Sequence, residues 1–222
     1  MTEERKSRPI LRAMLILAVG LLSAGLMLAS TPAEAISFNL TSDHCTGGCG
    51  TAPFGTVTVT QNGANVDITI DLADGPPNTV SWAKTGAADF QEFKFNATGV
   101  VLGDITVNQT FAGQTLAAQT GAFNGDGTGN FSFGIACTTC GNGALGITSN
   151  IVFHVANATI ADLTAANSNG NIFVADIFSA QTGNTGPVDV TAPVPEPGTL
   201  LLLGSGLASV GAWSRRRMRR RA

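Results

Sequence analysis

Tyrosine is absent from this chain, and histidine and tryptophan occur only twice each. Positive charge is missing from most of its length. Between Ile36 and Glu196 there are two lysines, Lys84 and Lys94, and no arginine. The same stretch carries twelve acidic residues against those two bases, a net charge of −10. Such a surface repels phosphate backbones, so nucleic acid is excluded as a partner. The scarcity of imidazole narrows the catalytic options, and no G-x-S-x-G, H-E-x-x-H or P-loop pattern occurs. The sequence therefore leads to the expectation that the protein is not an enzyme and needs neither metal nor cofactor.

The basic residues that do occur sit at the two ends. Arg5, Lys6, Arg8 and Arg12 precede an apolar run from Ala13 to Ala29, which is followed by Pro32 and by Ala33-Glu34-Ala35. A basic segment, an apolar segment and a small-x-small site in that order make a secretory signal peptide, here residues 1–35, cut after Ala35. It implies passage through the Sec translocon. At the other end, Val194-Pro195-Glu196-Pro197 precedes an apolar stretch from Gly198 to Trp213 and then Ser214-Arg-Arg-Arg-Met-Arg-Arg-Arg-Ala222. As a helix the stretch measures roughly 24 Å at 1.5 Å per residue, short for a hydrocarbon core of about 30 Å. The arginine cluster behind it belongs on the cytoplasmic side of a membrane.

This ordered tripartite end, at residues 194–222, resembles the PEP-CTERM sorting signal of exported bacterial proteins. The resemblance implies an exosortase as processing partner, acting at Val194, Pro195, Glu196 and Pro197. It also implies a precursor held in the inner membrane, a destination at the cell surface or extracellular matrix of a Gram-negative bacterium, and an association with exopolysaccharide. The physical logic is consistent with that. Two prolines keep the peptide extended and out of a helix, as a protease cleft requires.

Between the two addresses, residues 36–186 read as one all-β domain, an antiparallel, jelly-roll-like β-sandwich, with 187–193 as a linker. Thr56-Val-Thr-Val-Thr60 and Val66-Asp-Ile-Thr-Ile-Asp-Leu72 alternate with period two around Gln61-Asn-Gly-Ala-Asn65, a β-hairpin signal. Further strands are expected over residues 90–97, 100–108, 130–136, 150–156 and 171–178, with a short helix over 158–166. Regularly spaced short strands of this kind point to a sandwich. The phenylalanines on alternating positions are core candidates.

Four cysteines fall in two pairs, Cys45-Thr-Gly-Gly-Cys49 and Cys137-Thr-Thr-Cys140. Zinc knuckles and redox motifs share such spacings, but in an exported chain disulfides are the default. Four cysteines allow three connectivities; the compact, turn-flanked spacing favours Cys45–Cys49 and Cys137–Cys140. Asn124-Gly-Asp126-Gly-Thr128-Gly-Asn130 imitates the start of a calcium loop. Ile135 stands where the bidentate Glu belongs, which favours a plain glycine-rich turn. Asp67 and Asp71 share a strand face, and a solvated surface is the simpler reading of both. The function expected is a non-enzymatic surface or matrix protein; the alternatives are a polysaccharide-binding module and a metal-binding surface protein. The flanking charges place residues 36–196 outside the cytoplasm. An alkaline phosphatase fused after Ala192 is therefore expected to be active and one fused after Ala222 inactive; the reverse pattern would refute export.

Overall fold

In a computed structural model of the chain, residues 34–85, 90–108 and 111–190 are described. The expected signal segment up to Ala33 and the sorting residues Val194, Pro195, Glu196 and Pro197 lie outside them. The strands are β1 (Ala35–Leu40), β2 (Ser42–Asp43), β3 (Gly55–Asn62), β4 (Asn65–Leu72), β5 (Asp74–Gly75), β6 (Asn78–Lys84) and β7 (Phe93–Phe95). They continue with β8 (Ile105–Val107), β9 (Leu116–Asn124), β10 (Asn130–Cys137), β11 (Gly143–Ala144) and β12 (Ile151–Val155). A single-turn helix α1 (Ile160–Leu163) precedes β13 (Phe173–Ser179) and β14 (Thr185–Val190).

The alternating segment forms the expected hairpin. β3 and β4 pair from Gly55↔Leu72 to Asn62↔Asn65, leaving Gly63-Ala64 as a two-residue loop. Gly63 has φ +63°, where a type II′ turn places its glycine. This register puts Val57, Val59, Val66, Ile68, Ile70 and Leu72 on one buried face. Thr56, Thr58, Thr60, Asp67, Thr69 and Asp71 line the other, so the period-two pattern becomes one core face and one polar face. The sheet is completed in the order β1-β3-β4-β12-β8.

The second sheet runs β11-β6-β13-β7-β10-β9, with β14 joined to β13 and β2, and β5 to β6. All strand pairs, in both sheets, are antiparallel. Its centre is β7, whose Phe93 and Phe95 point into the core. Phe95 lies 5.0 Å from Phe153 of the first sheet and 5.5 Å from Phe133, ring centre to ring centre. Phe93 meets Phe173 at 5.7 Å and Phe153 at 6.1 Å. These contacts lock the two sheets into a sandwich. Trp82 is fully buried and its indole N–H donates to the carbonyl of Ser149 at 2.9 Å, so its polar handle is satisfied.

Seven strands have no counterpart among those expected: β1, β6, β9 and β14, and the two-residue β2, β5 and β11. The linker assignment for 187–193 is corrected, because Pro187 to Val190 belong to β14. They pair with β13 from Phe173↔Val190 to Phe178↔Thr185 and are buried. Pro187 has no N–H to give a neighbouring strand, and the pairing with β2 starts only at Val188. Gly186 also has a packing reason, since a Cβ there would come within 2.7 Å of the Cys45 backbone. β9 carries no strand signal in its sequence, because LAAQTGAFN has no apolar alternation and is half-exposed or exposed after Leu116. β1 starts at Ala35, so cleavage after that residue removes one position from its end. The helix is shorter than expected. It opens on a Thr159–Asp162 capping box, in which Asp162 accepts from the Thr159 backbone at 2.8 Å, and ends after Leu163.

Truncating Phe95 to Ala is expected to cost about 3–5 kcal/mol of unfolding free energy. Asp71→Asn, on the polar face, should stay within about 0.5 kcal/mol of wild type. Denaturant unfolding of both variants decides, and similar effects would refute the aromatic centre.

Candidate functional site

The two cysteine pairs are bonded locally, Cys45 to Cys49 and Cys137 to Cys140, with Cα separations of 5.5 and 5.4 Å. The first loop follows β2. Its closure is easy because Gly47 and Gly48 take φ +88° and +83°. The Asp43 carboxylate organises it, with Oδ1 accepting from the Cys45 N–H at 2.8 Å and Oδ2 from the Cys49 N–H at 2.6 Å. The loop is pinned to the β13–β14 turn, since the Gly48 carbonyl accepts from Asn184 Nδ2 at 2.8 Å and Thr182 Oγ1 at 3.0 Å.

The second loop leaves the end of β10. The Cys137 N–H donates to Glu92 Oε2 at 2.7 Å, and the Cys140 N–H points at Cys137 Sγ at 3.1 Å. Lys84 Nζ braces the loop from β6, donating to the carbonyls of Cys137 at 2.5 Å and Cys140 at 3.4 Å. Glu92 is fully buried, and its Oε1 has no hydrogen-bond partner. Beside it Lys94 is buried as an ion pair with Asp176 at 3.2 Å and also donates to the Gln91 carbonyl. Burial pushes the Glu92 carboxyl above its ordinary range, and the Cys137 N–H, Lys84 and Lys94 only partly oppose this.

Each disulfide has one carboxylate near it. Donor atoms of Asp43, Cys45 and Cys49, and separately of Glu92, Cys137 and Cys140, lie within 4.8 Å of one another. In both sets the sulfurs are bonded to each other, and the four cysteines fall in two separate groups rather than one four-sulfur site. Sequence reasoning missed Asp43, Lys84 and Glu92. A lysine between two phenylalanines in Gln91-Glu-Phe-Lys-Phe95 signals two opposite faces, but nothing in the alternation says that both are buried.

The remaining candidates are accounted for by local structure. Asp189 and Ser42 both contact His44 at the same ring nitrogen, Nε2, at 2.8 and 3.1 Å. A Ser-His-Asp relay needs two different nitrogens, so these residues do not form one. His154 Nδ1 and Asp67 Oδ1 are 2.6 Å apart on the polar face. That bond, with a second from Asn62, holds Asp67 below its ordinary range. Asn124 to Asn130 is the β9–β10 hairpin turn. The Thr128 carbonyl, a potential cation ligand, is taken by the side-chain amides of Asn167 and Asn171, each at 2.8 Å. An open groove of about 320 Å³ runs between β8 and β9, lined by Leu102, Ile105, Thr106, Val107, Leu116, Ala117 and Ala118. It offers no ionisable side chain. Among the described residues no helix is long and apolar enough to cross a membrane.

The fold and its two stapled loops define an all-β, disulfide-bearing domain. The chain carries the PEP-CTERM protein-sorting motif at residues 193–217, which spans Val194 to Pro197, the apolar stretch and the first arginines. The motif implies an exported, membrane-associated precursor with an exosortase as its processing partner. No curated protein and no solved structure matches this chain.

Glu92 gives a pH signature. Its carboxyl holds a proton more tightly folded than unfolded, where the ordinary value is 4.5. Its stabilising contribution is thus complete below about pH 4.5 and is lost as pH rises through the higher folded value. Lys84 and Lys94 lie close enough to oppose the shift, and the Glu92 carbonyl accepts from the Asp176 N–H at 2.9 Å. Between pH 4.5 and 7 the melting temperature of wild type should fall relative to that of Glu92→Gln; parallel curves would refute the assignment.

Proposed function

We propose that the chain is a non-enzymatic protein of the cell surface or extracellular matrix of a Gram-negative bacterium. It is exported through the Sec translocon, held as an inner-membrane precursor, processed by an exosortase, and associated outside the cell with exopolysaccharide. The observation that carries this reading is the sorting motif at 193–217, which begins three residues after β14 ends at Val190. The folded domain therefore runs almost into the sorting signal, and the sandwich itself is the delivered cargo. The spent histidine contacts and the groove without ionisable groups favour a non-catalytic role.

The net charge of the middle argues against an electrostatic hold on an acidic polymer. A neutral glycan is the better fit, met through the hydroxyl and amide groups of Asn39, Thr56, Thr58 and Thr69 on the outer face of the first sheet. That face is also what favours the second reading, a polysaccharide-binding module. Changing Glu196 to Ala is expected to leave the protein in the inner membrane with its tail intact by mass. In cells that make no exopolysaccharide, wild type should move from the surface fraction into the medium. Unchanged processing of the variant would overturn the exosortase role, and an unchanged surface yield without the polymer would overturn the glycan association.

A further inference from the structure

The two disulfides sit in different chemical settings. Cys45 and Cys49 are both buried, at 8% and 0% exposure, inside a loop tied down by Asp43, Thr182 and Asn184. In the second pair only Cys137 is buried. Cys140 is partly exposed and follows the exposed Thr138 and Thr139. Exposed disulfides are the labile ones, and exchange is faster when the departing sulfur is stabilised as a thiolate. The groups that would stabilise Cys137 are already in position. The Cys140 N–H is aimed at Cys137 Sγ at 3.1 Å, and the Glu92 carboxyl is within 4.8 Å of both sulfurs. Glu92 keeps one buried oxygen unpartnered, an arrangement that fits a proton carrier better than a purely structural acceptor.

We propose that Cys137–Cys140 is a thiol–disulfide exchange site for low-molecular-weight thiols, with Glu92 as the proton donor and acceptor for Cys137. An incoming thiolate attacks Cys140 Sγ. A new sulfur–sulfur bond forms there, the Cys137–Cys140 bond breaks, and its electron pair leaves on Cys137. The Cys137 thiolate accepts the Cys140 N–H and takes the proton of the Glu92 carboxyl. A second external thiolate attacks the external sulfur of the mixed disulfide, releasing an external disulfide and the Cys140 thiolate, which solvent protonates. Two external thiols are oxidised to one disulfide and the cysteine pair is reduced by two electrons; in the reverse direction Glu92 as carboxylate removes the Cys137 proton. Burial keeps the Glu92 carboxyl protonated to higher pH than usual, which favours its role as the donor of that proton. The site stands independently of where the protein is sorted.

The test uses the full chain in detergent, equilibrated in graded glutathione buffers, acid-quenched, alkylated and peptide-mapped. Cys137 and Cys140 should open at a milder poise, and at least about tenfold faster, than Cys45 and Cys49, with trapped glutathione on Cys140 and not on Cys137. Simultaneous opening, or opening of Cys45–Cys49 first, overturns the proposal. Glu92→Gln should slow the opening by about 10²-fold and flatten its pH dependence. A rate and pH profile like wild type overturns the role of Glu92. Should that variant fail to fold, Cys140→Ser supplies the second measurement. The alkylation pH profile of its lone Cys137 thiol should show a second inflection from Glu92, and a single ordinary thiol titration overturns the coupling.

Discussion

The packing of Phe93 and Phe95 against Phe153 is the contact on which the rest of the sandwich depends. β7 is only three residues long, yet it pairs with β10 on one side and β13 on the other, and so forms the middle of the larger sheet. Its two rings reach across to the first sheet at 6.1 and 5.0 Å. Each large ring buries more apolar area than any aliphatic neighbour and adds a geometric preference of its own. Because β7 also alternates, the position between the rings has to face the other way. That position is Lys94, and the chain buries it too, against Asp176. Burying an ion pair this deeply gains little net stability, whereas removing either partner alone strands a charge. The aromatic layer thus dictates a polar layer behind it, and Glu92 belongs to that second layer.

The same constraint explains what the residues disclosed in advance. β3 and β4 were legible because one side of their sheet is solvated, so Thr and Asp alternate with Val and Ile and the pattern carries the register. β7 and β13 were legible as strands but not as two-sided ones. In Phe173–Ser179 the buried positions run almost continuously, including Asp176. β9 and β14 gave no signal, the first because small residues at a sheet edge need no alternation, the second because Pro187 speaks for a linker. Of the site, the cysteines and their local spacing were visible. The acids that serve them come from elsewhere: Asp43 from the preceding strand, Glu92 forty-five residues upstream of Cys137. No local pattern encodes such a partner.

Charge partition follows from the fold as well. Both lysines between the two ends are used internally, Lys84 on the carbonyls of the Cys137 loop and Lys94 in its buried pair. The described surface therefore presents acids that no lysine or arginine pairs with, while every arginine lies in the terminal segments. A net negative charge of this size opposes association with anionic polymers, and the sorting motif is confined to the C-terminal end. The β domain and the terminal segments are separable in the sequence because they carry opposite charges.

Magnitudes decide what the disulfides are for. Closing loops with sequence separations of 4 and 3 restricts the unfolded chain by about 2 kcal/mol each on the loop-entropy scale. One core phenylalanine is worth more, about 3–5 kcal/mol on truncation. The sandwich has many such residues, so its existence does not hang on the staples. What the short bridges do is local: they fix the carbonyls and N–H groups of two loops, one tied to the β13–β14 turn and one poised over Glu92. A bridge the fold can lose without unfolding is one that chemistry can open, and Cys137–Cys140, partly exposed and supplied with a proton, is the one of the two that meets both conditions.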